Sequence, residues 1–170
     1  MKKPEHMTHL RHDTLVPKSD PRIFFRGKLD SLGAQVVLAQ CELAAADAKP
    51  ALLADLQEIL DVLREITRAE VLEQSFERDG ILGLTWAELR KQSHAPQAYF
   101  GVRAMVLPDA SLGRTYALLN VLRTAVREAE VAAAMAFDTE RSDIVQALNR
   151  LSSAVYILMC RLLRDGVSAE

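Results

Sequence analysis

The first group of residues whose type and spacing could support chemistry is a polar stripe. Tyr116, Asn120, Arg123, Arg127 and Glu130 recur at steps of four, three, four and three residues. In an α-helix this spacing places all five side chains on one side. The two guanidinium groups could neutralise a polyanion through bidentate hydrogen bonds. The alternative is a solvated helix face with ordinary ion pairs to acidic neighbours.

A second group is basic and surrounds a predicted helix start. Lys18, Arg22, Arg26 and Lys28 follow one another closely around Asp20-Pro21. Backbone N–H groups at a helix N-terminus attract anions, and added cations strengthen that attraction. The cluster is therefore a candidate phosphate site, and the alternative is an exposed basic turn. No G-x-x-x-x-G-K-[ST] pattern occurs, which excludes a P-loop.

Asp30 is the third candidate. It shares a predicted helix face with Ala34, Val37 and Cys41. A carboxylate on such an apolar face usually pairs with a cation, and we expect Arg123 or Arg127 to be the partner. The alternative is a purely structural salt bridge between helices.

Metal and nucleophile chemistry find less support in the sequence. His9 and His12 offer two imidazoles, but no cysteine or carboxylate pattern completes a metal site. Cys41 and Cys160 lie in apolar helical stretches, so we expect both to be core residues.

Hydrophobic periodicity predicts the elements that must position these residues. Five helices are predicted, at about 21–46, 51–76, 85–92, 109–137 and 142–164. The expected N-terminal caps are Asp20 before Pro21, Thr85 in a capping box with Glu88, Asp109 or Ser111, and Thr139 or Ser142. Residues 93–108 are predicted to form an irregular link.

Composition agrees with an all-α fold. The chain has 170 residues, of which 49% are hydrophobic and only 5% aromatic. We predict a five-helix antiparallel bundle with four long helices and one short one. Residues 20–165 form its single domain. Residues 1–19 show neither helical nor strand periodicity and are expected to be an extended arm, ordered by a ligand or a neighbouring subunit.

The charge balance excludes several classes of partner. Lys and Arg number 21 against 23 Asp and Glu, a net charge of −2, which argues against binding to nucleic acid. No apolar run approaches the roughly 20 residues that span a bilayer, and the N-terminus has no apolar secretory segment. With two cysteines outside any disulfide pattern, a cytoplasmic location is expected.

Several longer motifs, in a consistent order, carry a family resemblance. The segments are KSDPR, SHAPQAYFG, VLPDASLGR, LLNVLRTAVREAE and QALNRLSSAVY. Together they resemble ATP:corrinoid adenosyltransferases of the propanediol-utilisation type and, more closely, of the ethanolamine-utilisation type. The similar blocks extend from about Lys2 to Leu158, and residues 47–90 match weakly.

The resemblance implies a five-helix bundle that assembles into a homo-oligomer, with ATP bound between subunits. A trimer is favoured and a dimer is possible. It implies transfer of the 5′-deoxyadenosyl group of ATP to the cobalt of reduced cob(I)alamin, which forms adenosylcobalamin for ethanolamine utilisation. Mg²⁺ is expected to accompany the triphosphate.

Individual roles follow residue by residue from the same resemblance. Lys18 matches a phosphate-contacting lysine, and Arg127, Glu130 and Asn149 match ATP-binding positions. Arg123 and Asp30 match an arginine and an aspartate that pair and shape the corrinoid side. We therefore expect Asp30, Arg123 and Arg127 to be catalytic. The expected ligand-binding residues are Lys18, Arg22, Arg127, Glu130, Asn149 and Met105, of which Met105 takes the place of an aromatic residue that displaces the lower corrinoid ligand.

The sequence departs from the family pattern at several positions. A TGDxGxT phosphate loop is replaced by HLRHDTLVPKSD, and Glu128 stands where the propanediol type has a second arginine. The ethanolamine type carries an upstream cysteine-rich metal motif. This chain begins after that point, so we expect no transition-metal site. Two rival functions follow: a bundle that binds ATP or cobalamin without full catalysis because the upstream segment is missing, and a structural bundle with ordinary ion pairs.

Overall fold

Helices dominate the computed structural model, which describes residues 3–104 and 106–166. Six α-helices are α1 Pro21–Ala45, α2 Pro50–Val71, α3 Trp86–His94, α4 Pro96–Phe100, α5 Gly113–Phe137 and α6 Ser142–Arg164. Two small antiparallel strand pairs are β1 Met7–Arg11 with β2 Thr14–Pro17, and β3 Gly80–Ile81 with β4 Leu84–Thr85. A 3-10 turn, Ala110–Leu112, precedes α5. The prediction of an all-α fold with four long helices is confirmed. In the described ranges there is one more short helix than predicted, because Pro96–Phe100 forms α4 inside the expected irregular link.

Two predicted helix starts are confirmed in detail. Asp20 caps α1 by accepting a hydrogen bond from the backbone N–H of Arg22 at 2.9 Å, with Pro21 in the first turn. Thr85 and Glu88 form a reciprocal capping box at the start of α3. Each cap satisfies amide groups that have no partner within the helix.

The predicted caps of the last two long helices are wrong. Asp109 caps the 3-10 turn rather than α5, by accepting from the N–H of Ser111. The residues that precede α5 and α6 are Leu112 and Arg141, and neither makes a side-chain cap. The extra 3-10 turn shifts the start of α5, and Arg141 is used elsewhere, as described below.

The four long helices pack in the spatial order α2, α1, α5, α6. Helix α5 lies between α1 and α6, and α1 lies between α5 and α2, while the short α3 packs on α6. Two ion pairs show that α1 and α5 run antiparallel, because Lys28 meets Glu128 and Glu42 meets Arg114. The buried seam includes Leu32 and Val36 of α1, Val126 of α5 and Leu151 of α6. Helix α5, which carries the polar stripe, is thus covered by α1 on one side and by α6 on the other.

The N-terminal segment differs from the expected extended arm. Its strands pair in the register Met7↔Pro17, Thr8↔Val16 and His9↔Leu15, so the described part forms a hairpin within one chain. Leu10 is its buried residue. Because the described hairpin has a single buried position, its sequence lacks the alternation of apolar and polar residues that would predict strands. The division of the chain into an arm and a bundle domain at residue 19 stays a prediction.

Helix α2 ends at Val71, five residues before the predicted end at Phe76. Residues at the start of α6 bind the backbone that follows α2. Arg141 Nη2 donates to the carbonyl of Gln74 at 2.9 Å, and the N–H of Phe76 donates to Asp143 Oδ2 at 2.8 Å. Tertiary hydrogen bonds thus take up groups that a longer helix would have paired internally.

In the described ranges, no helix is both long enough and apolar enough to cross a membrane.

Candidate functional site

The polar stripe of α5 lies beside the buried seam, as its spacing predicted. Tyr116 is buried, Asn120, Arg123 and Glu130 are half-buried, and Arg127 is exposed. The neighbouring apolar stripe is fully buried, which confirms its prediction; its members are Leu119, Leu122, Val126, Ala129 and Ala133. The polar side chains therefore emerge at the edge of the core rather than on the opposite, outer face.

Helix α6 completes this edge with a hydrogen-bonded group. Asn149 Nδ2 donates to Glu130 Oε1 at 2.7 Å, which joins the two helices. Asn149 Oδ1 in turn accepts from Arg150 Nη1 at 2.7 Å, and Ser152 Oγ donates to the backbone carbonyl of Asn149 at 2.8 Å. We call Asn120, Arg123, Arg127, Glu130 and Asn149 the α5–α6 polar cluster. The structure thus brings four predicted site residues, Arg123, Arg127, Glu130 and Asn149, onto one surface.

The two arginines of this cluster are not neutralised by carboxylates. Arg123 Nε donates to the amide oxygen Oδ1 of Asn120 at 3.2 Å. Across residues 3–104 and 106–166, neither Arg123 nor Arg127 forms an ion pair. A guanidinium with only a neutral partner keeps its full attraction for an anion. The cluster therefore offers two guanidinium groups to an anionic ligand.

Two tyrosines form the apolar floor next to Arg123. Burial, reinforced by the nearby Cys160 thiol, raises the pKa of Tyr156 to about 12. Burial also raises the pKa of Tyr116, although the positive charge of Arg123 works in the other direction. Both phenols are therefore neutral at physiological pH and act as hydrogen-bond donors rather than bases.

The cysteines do not supply a nucleophile. Burial raises the pKa of Cys160, so the buried thiol stays protonated, in agreement with the core role predicted for it. Cys41 is exposed on α1, so its predicted core position is wrong. The face of α1 that carries it points away from the seam.

The basic start of α1 is arranged differently from the sequence-based expectation. Arg22 donates from Nε and Nη2 to Glu70 Oε1 at 2.9 and 2.6 Å, and Arg26 Nε donates to Glu70 Oε2 at 2.6 Å. Glu70 lies on α2 and has no exposed surface. We call these three residues the Glu70 clamp. Arg22, expected to help bind an anion, is thus paired with a buried carboxylate inside the protein, and its role toward ATP stays a prediction.

The remaining lysines of this region are exposed to different degrees. Lys28 Nζ pairs with Glu128 Oε2 at 2.7 Å, so Glu128, which replaces an arginine of the family pattern, serves the α1–α5 contact. Lys18 is exposed between β2 and α1. Of the four basic residues, Lys18 is the one whose charge faces solvent, outside any ion pair found in the described ranges.

Asp30 lies on another side of the chain from Arg123 and Arg127. It is exposed and lines a groove of about 690 Å³ between α1 and α2, together with Gly33, Leu60 and Thr67. The arginines lie on the α6 side of α5. Within one chain the structure therefore does not bring Asp30 to Arg123 or Arg127, and the expected pair would require a second copy. Met105, the remaining predicted site residue, lies outside the described residues.

Two residues important to these clusters were missed by the sequence reasoning. Arg150 donates to Asn149, and burial followed by the nearby charge of Arg90 lowers its pKa from the ordinary arginine value. Glu70 was detectable, because it continues the apolar stripe of α2 four residues after Ile66. A carboxylate at a core position of a helix signals buried cationic partners.

The sequence that carries these elements and clusters matches a known family. The family model of cobalamin adenosyltransferase matches residues 1–162. The chain belongs to the cobalamin adenosyltransferase family. The candidate residues described above, Met105 included, all fall within the matched range.

Two relatives agree with this assignment. The corrinoid adenosyltransferase EutT of Salmonella typhimurium strain LT2 is 46% identical over 164 residues, which is 94% of this chain and 59% of the relative. The corrinoid adenosyltransferase EutT of Escherichia coli strain K12 is 45% identical over 163 residues, 93% of this chain and 59% of the relative. The chain thus spans less than two thirds of the length of these curated relatives.

Proposed function

We propose that this member of the cobalamin adenosyltransferase family transfers the 5′-deoxyadenosyl group of ATP to the cobalt of a reduced corrinoid. Cob(I)alamin is the proposed acceptor, adenosylcobalamin the product and ethanolamine utilisation its use. The observation that carries the proposal is the α5–α6 polar cluster, which offers two guanidinium groups without carboxylate partners beside a joined Glu130–Asn149 pair. The similarity to relatives named corrinoid adenosyltransferase supports the choice of reaction.

The proposed roles follow from the chemistry of the transfer. A cobalt–carbon bond forms at the ribose C5′ as the C5′–O bond breaks, and the triphosphate leaves with the bonding electrons. Negative charge grows on the leaving oxygen, so Arg127 and Lys18 are assigned to the phosphates together with Mg²⁺. Glu130 and Asn149 supply an acceptor and a donor for the nucleoside, and Arg123 with Asp30 positions the corrinoid. The protein then acts mainly by orientation and electrostatic stabilisation.

We propose that the complete site forms between two copies of the chain. Asp30 faces the α1–α2 groove, whereas Arg123 and Arg127 lie on the α6 side of α5. A contact that joins these different faces is heterologous and closes into a ring, for which a trimer is favoured, while a two-fold dimer can also place each face against the other. The exposed apolar residues Leu38 of α1 and Val121, Val131 and Met135 of α5 suit such an interface.

The location proposed for the enzyme is the cytoplasm. Both cysteines are free, Cys41 exposed and Cys160 buried, as suits a reducing compartment.

The test is product formation from MgATP and chemically reduced cobalamin. The wild-type chain is expected to form adenosylcobalamin, followed by its visible absorption spectrum. Arg127→Ala is expected to lower turnover by a factor on the order of 100 while the far-UV circular dichroism stays unchanged. Full activity of Arg127→Ala would overturn the assignment of the site.

A second candidate function is binding of ATP or cobalamin without completion of the transfer. It is favoured by the coverage of the relatives, since the similarity accounts for 59% of their length. Under this alternative MgATP raises the melting temperature of the protein, but no adenosylcobalamin forms. The melting temperature rises because a ligand that binds only the native state stabilises that state by mass action. A structural bundle without ligands predicts no change in the melting temperature.

A further inference from the structure

We propose that Glu70 is a positioning residue for Lys18, acting through the Glu70 clamp and the N-terminal hairpin. The inference rests on the proposed function, in which Lys18 contacts the phosphates of ATP. The inference goes beyond the proposed function because it gives a role to a buried carboxylate on α2 that is not assigned to contact substrate.

The clamp saturates one carboxylate with two guanidinium groups. Glu70 Oε1 accepts from Arg22 Nε and Nη2 at 2.9 and 2.6 Å and from Arg26 Nη2 at 3.2 Å, while Oε2 accepts from Arg26 Nε at 2.6 Å. The arginine side chains are only 20 and 22% exposed. Charge-assisted hydrogen bonds of this kind fix the direction of all three side chains.

Arg26 extends the clamp to the hairpin. Its Nη1 donates to the backbone carbonyl of Leu10 at 2.7 Å, near the end of β1 where the strand pairing is irregular. The neighbouring Arg11 pairs with Glu73, which lies 3.8 Å from Arg22 Nη1. Leu10, which is 9% exposed, is the one buried residue of the described hairpin. The attachment of the hairpin to the bundle therefore depends strongly on this polar link.

Lys18 is held between the hairpin and the helix start. Its backbone N–H donates to the carbonyl of His6 at 2.8 Å, next to the strand pairing. Two residues later, Asp20 caps α1 directly before Arg22. Because the clamp holds the hairpin through Arg26 and the first turn of α1 through Arg22, it fixes both ends of the short segment that carries Lys18.

Two variants separate this positioning from general stability. Glu70→Gln removes the charge that gathers both arginines. Arg26→Lys keeps a positive charge for Glu70 but cannot also hold the Leu10 carbonyl, since a lysine has no planar fork of donors. The control is Glu58→Gln, which weakens another carboxylate–arginine group on α2, where the partly exposed Glu58 accepts from Arg78 and from the N–H of Leu82.

The first readout is hydrogen exchange, which needs no substrate. Glu70→Gln and Arg26→Lys are expected to speed exchange of the Lys18 amide and of the β1–β2 amides by a factor on the order of 10, with little change in α5 and α6. Glu58→Gln is expected to leave the hairpin amides as in the wild type. If Glu70→Gln does not fold, Arg26→Lys alone decides. Unchanged exchange at the hairpin in a folded variant would overturn the proposal.

The second readout is the use of MgATP. The KM for ATP is expected to rise and kcat to fall in both clamp variants, so that kcat/KM drops about tenfold, equivalent to one misplaced phosphate contact that also stabilises the leaving oxygen. Glu58→Gln is expected to keep the wild-type kcat/KM. A clamp variant with the wild-type kcat/KM would overturn the role toward Lys18.

Failure of the proposed function gives a different pattern. Binding of MgATP by the wild-type chain without any turnover would overturn the proposed transfer, and the dissociation constant of MgATP would then replace kcat/KM in the comparison. Absence of MgATP binding by the wild type would overturn the role toward ATP, even if exchange shows that the clamp holds the hairpin.

Discussion

The Glu70 clamp and the α5–α6 polar cluster each contain two arginines, but only the arginines of the clamp are paired with a carboxylate in the described ranges. In the clamp, Arg22 and Arg26 share a carboxylate with no exposed surface. In the cluster, Arg123 donates to a neutral amide oxygen and Arg127 reaches the surface. The same residue type is structural in the first region and available for binding in the second.

The difference lies in what the neighbouring helix offers. Helix α2 presents Glu70 to the start of α1, whereas α6 presents the amide of Asn149 to α5, where Glu130 is the acceptor. A cluster of cations predicts an anion site only where no internal carboxylate neutralises it. Variants of the Glu70 clamp should therefore change mainly stability, and variants of the α5–α6 polar cluster should change mainly ligand binding and catalysis.

The largest expected effect is on stability. Glu70→Ala leaves two partly buried guanidinium groups without a counter-ion and should lower the free energy of unfolding by about 3–5 kcal/mol. Glu130→Ala removes a half-buried carboxylate, and the free energy of unfolding should change by no more than about 1 kcal/mol. Urea denaturation followed by circular dichroism measures both. Equal destabilisation by the two variants would remove the distinction between the regions.

The next effect is on catalysis. Arg123→Ala should lower turnover by a factor on the order of 100, because a positive charge that orients the substrate in the cluster is lost. Its far-UV circular dichroism should match that of the wild type, since within residues 3–104 and 106–166 the side chain is bound only to Asn120. The control is Arg164→Ala, an exposed arginine at the end of α6 paired with Asp165. An active Arg123→Ala enzyme would place the chemistry elsewhere.

A smaller effect is expected from Asn149→Ala. This change removes the donor that holds Glu130 Oε1 at 2.7 Å and the proposed contact with the nucleoside. The dissociation constant of MgATP, measured by calorimetry, should rise about tenfold, as is typical for the loss of one hydrogen bond to a charged group. Ser153→Ala on the same helix serves as control. An unchanged dissociation constant would restrict Asn149 to a structural role.

The smallest expected effect concerns the structural pair of Arg141 and Asp143. Burial acts to raise the pKa of Asp143, but hydrogen bonds from Arg141 and from the N–H groups of Phe76 and Ile144 outweigh it, so the pKa lies below its ordinary value of 3.8. The charged form is therefore favoured by folding, and its stabilisation is present above that value and lost as the pH falls through the lowered pKa.

Asp143→Asn should accordingly reduce stability at pH 7 by on the order of 1 kcal/mol. The difference between wild type and variant should shrink as the pH falls below about 4, because the carboxyl of the unfolded chain then becomes protonated before the native one, whose pKa is lower. Thermal unfolding between pH 3 and 7 measures it. A difference that stays constant over this range would mean that the charge of Asp143 contributes nothing.

Local patterns were sufficient for much of the fold and for part of the site. The step of three and four residues placed Arg123, Arg127 and Glu130 on one side of α5, and residue types identified Asp20 and Thr85 as caps. These features depend on neighbours within one or two helical turns. The same holds for the buried apolar stripe of α5.

The features that the sequence did not reveal depend on distant partners. The pairing of Arg22 with Glu70 joins positions 48 residues apart, and α2 ends early because Arg141 and Asp143 bind the backbone after it. Asp30 could be assigned to an apolar face of α1, but its separation from Arg123 follows from which helix packs on which side. Periodicity gives a face of a helix, and tertiary packing decides what covers it.

The most direct test of the central claim is a structure of the chain with MgATP. We expect the triphosphate within hydrogen-bonding distance of Arg127 of one subunit and Lys18 of another, with Arg22 and Arg26 still bound to Glu70. A nucleotide bound by Arg22 and Arg26, with Arg123 and Arg127 left in solvent, would contradict the account.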